Sequence, residues 1–94
     1  MKIKYLEDGV DLVINNVTYS LFAWYTLEYT RWYSFDVRTE SLENSRRTKS
    51  RDRFISWIEE VAKDRQLSQH ITLYIDRKFK QHLEMSRRYS FEND

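Results

Sequence analysis

The sequence predicts an α+β chain: a small antiparallel β-sheet of three or four strands from the N-terminal forty residues, packed against two C-terminal α-helices. Three observations predict it. Odd positions from Val17 to Val37 read Val, Tyr, Leu, Ala, Tyr, Leu, Tyr, Arg, Tyr, Phe, Val, close to the period of two of a half-buried strand. Asn15-Asn16, just before that stretch, suits a two-residue hairpin turn with positive φ. From Ser50 onward the apolar residues recur at the i, i+3, i+4 spacing of amphipathic helices.

Met1 to Leu6 alternates as a short strand, and Glu7-Asp8-Gly9 is a turn signal holding the only glycine. Val10 to Ile14 then leads into Asn15-Asn16, which makes a first hairpin. Val17 to Val37 spans 21 residues, too long for one strand, so a break near Thr26 to Glu28 is expected to give two. An amphipathic helix from Leu21 to Phe35 competes, because Leu21, Phe22, Trp24, Tyr25, Tyr29, Trp32 and Tyr33 also share one broad helical face. Its Thr, Tyr, Trp, Phe and Val residues are poor helix formers and favour strands. Thr39 to Ser50 is polar and reads as a long loop.

Ser50 is the expected N-cap of a helix over 51–66, with Phe54, Trp57, Ile58, Val61 and Ala62 on one face. Ser68 is expected to cap a second helix over 69–88, carrying Ile71, Tyr74, Ile75, Phe79, His82 and Leu83 on its apolar side. A strand over Ile71 to Ile75 is the alternative, but the helical pattern continues for two further turns. The expected organisation is a single domain, 1–94, with a β-meander over 1–38, a basic polar loop over 39–50 and the two helices. Residues 27–36 and 83–92 share six identities in ten, although their flanks do not align as those of a structural repeat would.

With one glycine, no proline and no cysteine, the chain cannot build a P-loop, a dinucleotide fingerprint, an EF-hand loop, a disulfide scaffold or a cysteine-based metal site. Average usage would supply about six glycines and about five prolines. Charged residues are 33% and hydrophobic residues 40%, which suits a folded chain whose fifteen aromatics provide core volume. No apolar run approaches the roughly 18 residues of a membrane span, and Met1 to Leu6 lacks an apolar signal region, so the expected location is cytoplasmic, with no membrane partner.

The net charge is only +1, yet residues 31–53 carry seven basic and four acidic groups. Within them, Arg46, Arg47, Lys49, Arg51 and Arg53 have Asp52 as their only acidic neighbour. Arginine guanidinium groups bind phosphates or carboxylates in a fork, so this run is the candidate partner- or phosphate-binding segment. Phe22, Trp24 and Trp32 fall among polar residues at even positions, and a hairpin centred on Glu28 sets Trp24 across from Trp32. These are the candidate aromatic contacts for a protein partner or for unpaired bases. The competing readings are a solvated basic loop and aromatics that simply build the core.

Val61, Ala62, Leu67 and Ile75 fit four helix-turn-helix spacings, but Gln66 stands at the turn position that favours glycine, and Arg65 and Thr72 at apolar ones. A plain helical hairpin explains them equally well. His70 and His82 lie twelve residues apart on one helix, too far to share a metal or a proton, and His82 on the apolar side reads as a core histidine. No cofactor and no catalytic residue is assigned.

The leading expectation is a non-catalytic binding protein that occupies another macromolecule's site. The composition suggests a phage or mobile-element accessory protein inhibiting a host protein or ribonucleoprotein complex that handles nucleic acid or defence. Direct binding of RNA or another single strand is the alternative, and a toxin-type ribonuclease comes third. An unpaired aromatic edge strand would favour a homo-oligomer.

Overall fold

A computed structural model describes residues 1–26, 28 and 30–92, with side chains described up to residue 85. Strands β1 (Lys2–Tyr5), β2 (Gly9–Ile14), β3 (Val17–Tyr25), β4 (Arg31–Arg38) and β5 (Glu43–Thr48) precede helices α1 (Arg51–Ala62) and α2 (Arg65–Glu92). The sheet is an antiparallel meander in chain order, β1-β2-β3-β4-β5. The α+β class is as expected, but the strands number five rather than three or four.

The chain turns with almost no glycine by using side chains. Asn15 and Asn16 take φ of 51° and 65° and close the β2–β3 hairpin, where Ile14 faces Val17. Between β3 and β4 the Thr26 N–H donates to the Thr30 carbonyl at 3.0 Å, and the Thr30 N–H donates to Thr26 Oγ1 at 3.3 Å. Between β4 and β5 the Thr39 N–H donates to the Leu42 carbonyl at 2.8 Å, while Leu42 N–H donates to Thr39 Oγ1 at 2.9 Å. Gly9 lies in β2 itself. A Cβ there would sit well inside van der Waals distance of the Leu21 carbonyl oxygen on β3, so close strand approach requires the glycine.

The expected loop over 39–50 is corrected by β5. Its sequence, Glu-Asn-Ser-Arg-Arg-Thr, has no apolar alternation, and its residues from Glu43 to Arg47 are exposed. What places it is the free edge of β4 next to a short turn.

Ser50 caps α1 as expected, accepting the Arg53 N–H at 3.2 Å. The helix ends at Ala62, not near 66, because Lys63 enters the left-handed region at φ 57° and donates its N–H to the Glu59 carbonyl. Asp64, not Ser68, caps α2: its Oδ1 accepts the Leu67 N–H at 3.0 Å. The second helix therefore starts four residues before 69 and runs to Glu92. Ser68 and Thr72 are buried inside it, each donating its hydroxyl to the carbonyl four residues earlier. Among the described residues, no helix is long and apolar enough to cross a membrane.

Both helices lie on one face of the sheet. Val10, Leu12, Leu21, Tyr33 and Phe35 from the strands meet Phe54, Ile58, Ile71 and Ile75 from the helices in one core. The Tyr33 and Phe54 rings stack at 4.7 Å. Asp76 ties the layers together: its Oδ1 accepts the Tyr33 hydroxyl at 2.5 Å and Arg31 at 3.3 Å, and its Oδ2 accepts Arg51 Nε at 2.7 Å. Burial, then the hydrogen bond to Asp76, pushes the Tyr33 hydroxyl well above the ordinary tyrosine range. The hydrogen bond to Asp76 raises Arg51 as well.

Candidate binding surface on the open sheet face

Successive strand residues point to opposite faces, and residues opposite each other on neighbouring strands share a face. With odd β3 and β4 positions on the helix side, the even positions form a face that no described element covers. The pairing registers divide this face into rows. One end row sets Trp24 against Trp32, and the next runs Gly9, Phe22, Ser34, Arg47. Beyond them lie Lys4, Asp11, Ser20, Asp36 and Ser45, then Lys2, Val13, Thr18, Arg38 and Glu43.

The two ends differ in chemistry. At the polar end Ser45 donates to Asp36 at 2.7 Å, and Arg38 makes a long, exposed contact with Glu43 at 3.6 Å. At the other end the Trp24 and Trp32 rings stack at 6.0 Å and within 11° of parallel. The Trp24 indole N–H donates to Ser34 Oγ at 2.8 Å, which fixes the ring on the strand. The Arg47 guanidinium lies 5.6 Å from the Trp24 ring centre, and Lys49 Nζ lies 4.9 Å from that of Trp32. Such cation–π contacts at partly exposed sites hold a charge in place at a gain of about 0.5–1 kcal/mol. Among the described residues, neither Arg47 nor Lys49 has a carboxylate partner. A shallow depression of about 320 Å³ lies beside them, lined by Phe22, Trp24, Ser34, Asp36, Ser45 and Arg47.

The structure thus brings Phe22, Trp24 and Trp32 together with Arg47 and Lys49, and separates the rest of the basic run. Arg46 points to the helix side, 4.1 Å from the Trp57 ring centre. Arg51 is held by Asp76. Arg53 stands exposed in the first turn of α1, away from the aromatic face. The basic run is therefore not one patch, because a strand sends its alternate residues to opposite sides.

His82 is exposed rather than in the core, with Nε2 3.1 Å from the Glu7 carbonyl, and His70 stands edge-on to Tyr5 at 6.3 Å. A small hollow of about 220 Å³ lined by Asp8, Ala23, Trp24, Tyr25, Phe79 and His82 adjoins the end of β3. Asp76, which joins α2 to the sheet on the opposite side, was not singled out from the sequence. The available signal was an acid inside the apolar stripe, between Ile75 and Phe79. The open face offers indole and phenyl surface, hydroxyls, and in Arg47 and Lys49 two cations beside the indoles. No protein-family model, curated protein or solved structure matches the chain.

Proposed function

We propose that the chain is a non-catalytic binding protein that acts by occupying a site on a partner protein or ribonucleoprotein complex, with the open sheet face as its contact surface. The observation that carries this reading is the cluster of Phe22, Trp24, Trp32, Arg47 and Lys49 on a face that no described element covers. Binding energy at protein interfaces concentrates in small groups of Trp, Tyr and Arg held rigidly by their neighbours. The stacking of the indoles, the Ser34 hydrogen bond and the flanking cations supply that rigidity.

A protein surface bearing carboxylates fits better than a nucleic-acid backbone. Lys2, Lys4 and Arg38 share the face with Asp11, Asp36 and Glu43, so its charge is mixed, and the net charge is +1 rather than strongly basic. The proposed partner is a host complex that handles nucleic acid or defence, which the chain would inhibit by occupying its site. The parallel indoles beside unpaired cations favour one second reading, a stacking platform for single-stranded RNA.

Affinity capture from the native host with wild type, Trp24→Ser/Lys49→Glu and Arg53→Glu tests the proposal, alongside anisotropy titrations with a labelled oligouridylate. A protein complex held by wild type and Arg53→Glu but lost by the double variant is expected. Tight, salt-sensitive RNA binding with no protein captured transfers the face to the second reading. Capture unaffected by the double variant removes it from the contact altogether.

A further inference from the structure

A meander of this kind has two edges, and they differ in what they present. Among the described residues, no backbone hydrogen bond beyond its pairing with β4 satisfies β5, and its residues 43–47 are exposed. An unpaired edge is a template for another strand. We infer that β5 is the dimerisation edge of this protein, pairing antiparallel with β5 of a second copy about a two-fold axis at Ser45.

Charge complementarity points to a second copy. Opposed residues in an antiparallel pair share a face, so a symmetric pair has its axis on a residue. With the axis on Ser45, Glu43 faces the partner's Arg47 and Arg47 faces the partner's Glu43, both on the open face. Asn44 then faces the partner's Arg46 on the helix side. An axis on Arg46 or Arg47 would set arginine against arginine, and one on Asn44 forms no charge pair. Glu43 is available, since its side chain is 78% exposed and its contact with Arg38 is long, at 3.6 Å. Arg47 has no carboxylate of its own among the described residues.

The other edge is protected. On β1, an axis on Ile3 sets Lys2 against the partner's Lys4, and an axis on either lysine sets it against itself, which is the usual defence of an edge. Its far end is also held by α2: Tyr5 stacks edge-on with Tyr74, whose hydroxyl donates to the Leu6 carbonyl at 2.6 Å.

Pairing at β5 makes one ten-stranded sheet from two copies of the five-stranded one and places both aromatic clusters on the same continuous face. Self-association rests on the β5 edge and shares Arg47 with the aromatic cluster of the open face.

Sedimentation equilibrium of the full chain at low and high salt tests it. The expected result is a dimer that weakens with salt. Glu43→Arg and Arg47→Glu each turn two attractive pairs into two repulsive ones, so each raises the dimer dissociation constant on the order of tenfold. The combined Glu43→Arg/Arg47→Glu chain restores it. A second variant does not depend on charge: Ser45→Cys adds the chain's only thiol at the axis, and mild oxidation should link two copies, whereas Asn44→Cys should link poorly. A wild-type chain that stays monomeric at all concentrations overturns the inference. So does a dimer indifferent to both single reversals, a double reversal that does not restore association, or equal cross-linking at 44 and 45.

Discussion

Removing the Tyr33 hydroxyl tests whether the Asp76 junction stabilises the fold, and it does so with a cost that falls as pH rises. Tyr33 is fully buried, and its hydroxyl donates to Asp76 Oδ1 at 2.5 Å. A hydrogen bond to a charged group contributes about 1.5–3 kcal/mol, and because Asp76 keeps 19% exposure and can recruit water, the lower end applies. Tyr33→Phe should therefore cost about 1.5 kcal/mol at pH 7.

The folded hydroxyl is raised above its ordinary value of 10.0, so its stabilising contribution is complete below that value and is lost as pH rises beyond it. Above pH 10 the unfolded tyrosine has lost a proton that the folded one keeps. Wild type then loses about 1.4 kcal/mol per pH unit that the phenylalanine chain does not lose. The gap between the two should close near pH 11. Urea unfolding followed by tryptophan fluorescence from pH 7 to 11 measures it, and the other titrating groups cancel in the difference. A gap that stays constant through pH 11, or one below about 0.3 kcal/mol at pH 7, would refute the assignment.

Two further substitutions test the backbone argument. Gly9→Ala forces a methyl against the Leu21 carbonyl, and strain of this kind should lower unfolding free energy by about 1–3 kcal/mol or prevent folding, as read by urea denaturation. Lys63→Gly relieves a left-handed residue at φ 57°, so the same measurement should show a gain of about 1 kcal/mol. No gain would mean that the Lys63 side chain supplies compensating interactions.

The aromatic centre of the molecule was legible because its signals are local. Period-two alternation from Val17 to Val37, together with a turn centred on Glu28, was enough to set Trp24 opposite Trp32, which is the register found. Asn15-Asn16 and the Ser50 cap were legible for the same reason, since each acts within three residues. The fifth strand was not. Nothing in Glu43 to Thr48 alternates in hydrophobicity, and its pairing depends on an edge supplied by β4. Missing it also made the basic run look like a single patch. The strand's alternation sends Arg47 to the indoles and Arg46 to Trp57.

The similar segments 27–36 and 83–92 mark the boundary between the two kinds of information. They share six residues in ten, yet residues 31–36 of the first form most of β4, while the second is the last part of α2. Sequence alone determined which residues are available for burial, the Asn15-Asn16 turn and the Ser50 cap, and that the chain holds few residues able to cradle a ligand with backbone. Tertiary structure decided what each of the two segments became. Residues 31–36 lie beside β3, above a core that takes Tyr33 and Phe35, whereas 83–92 extend a helix already nucleated, where each added residue gains a hydrogen bond without a new nucleus.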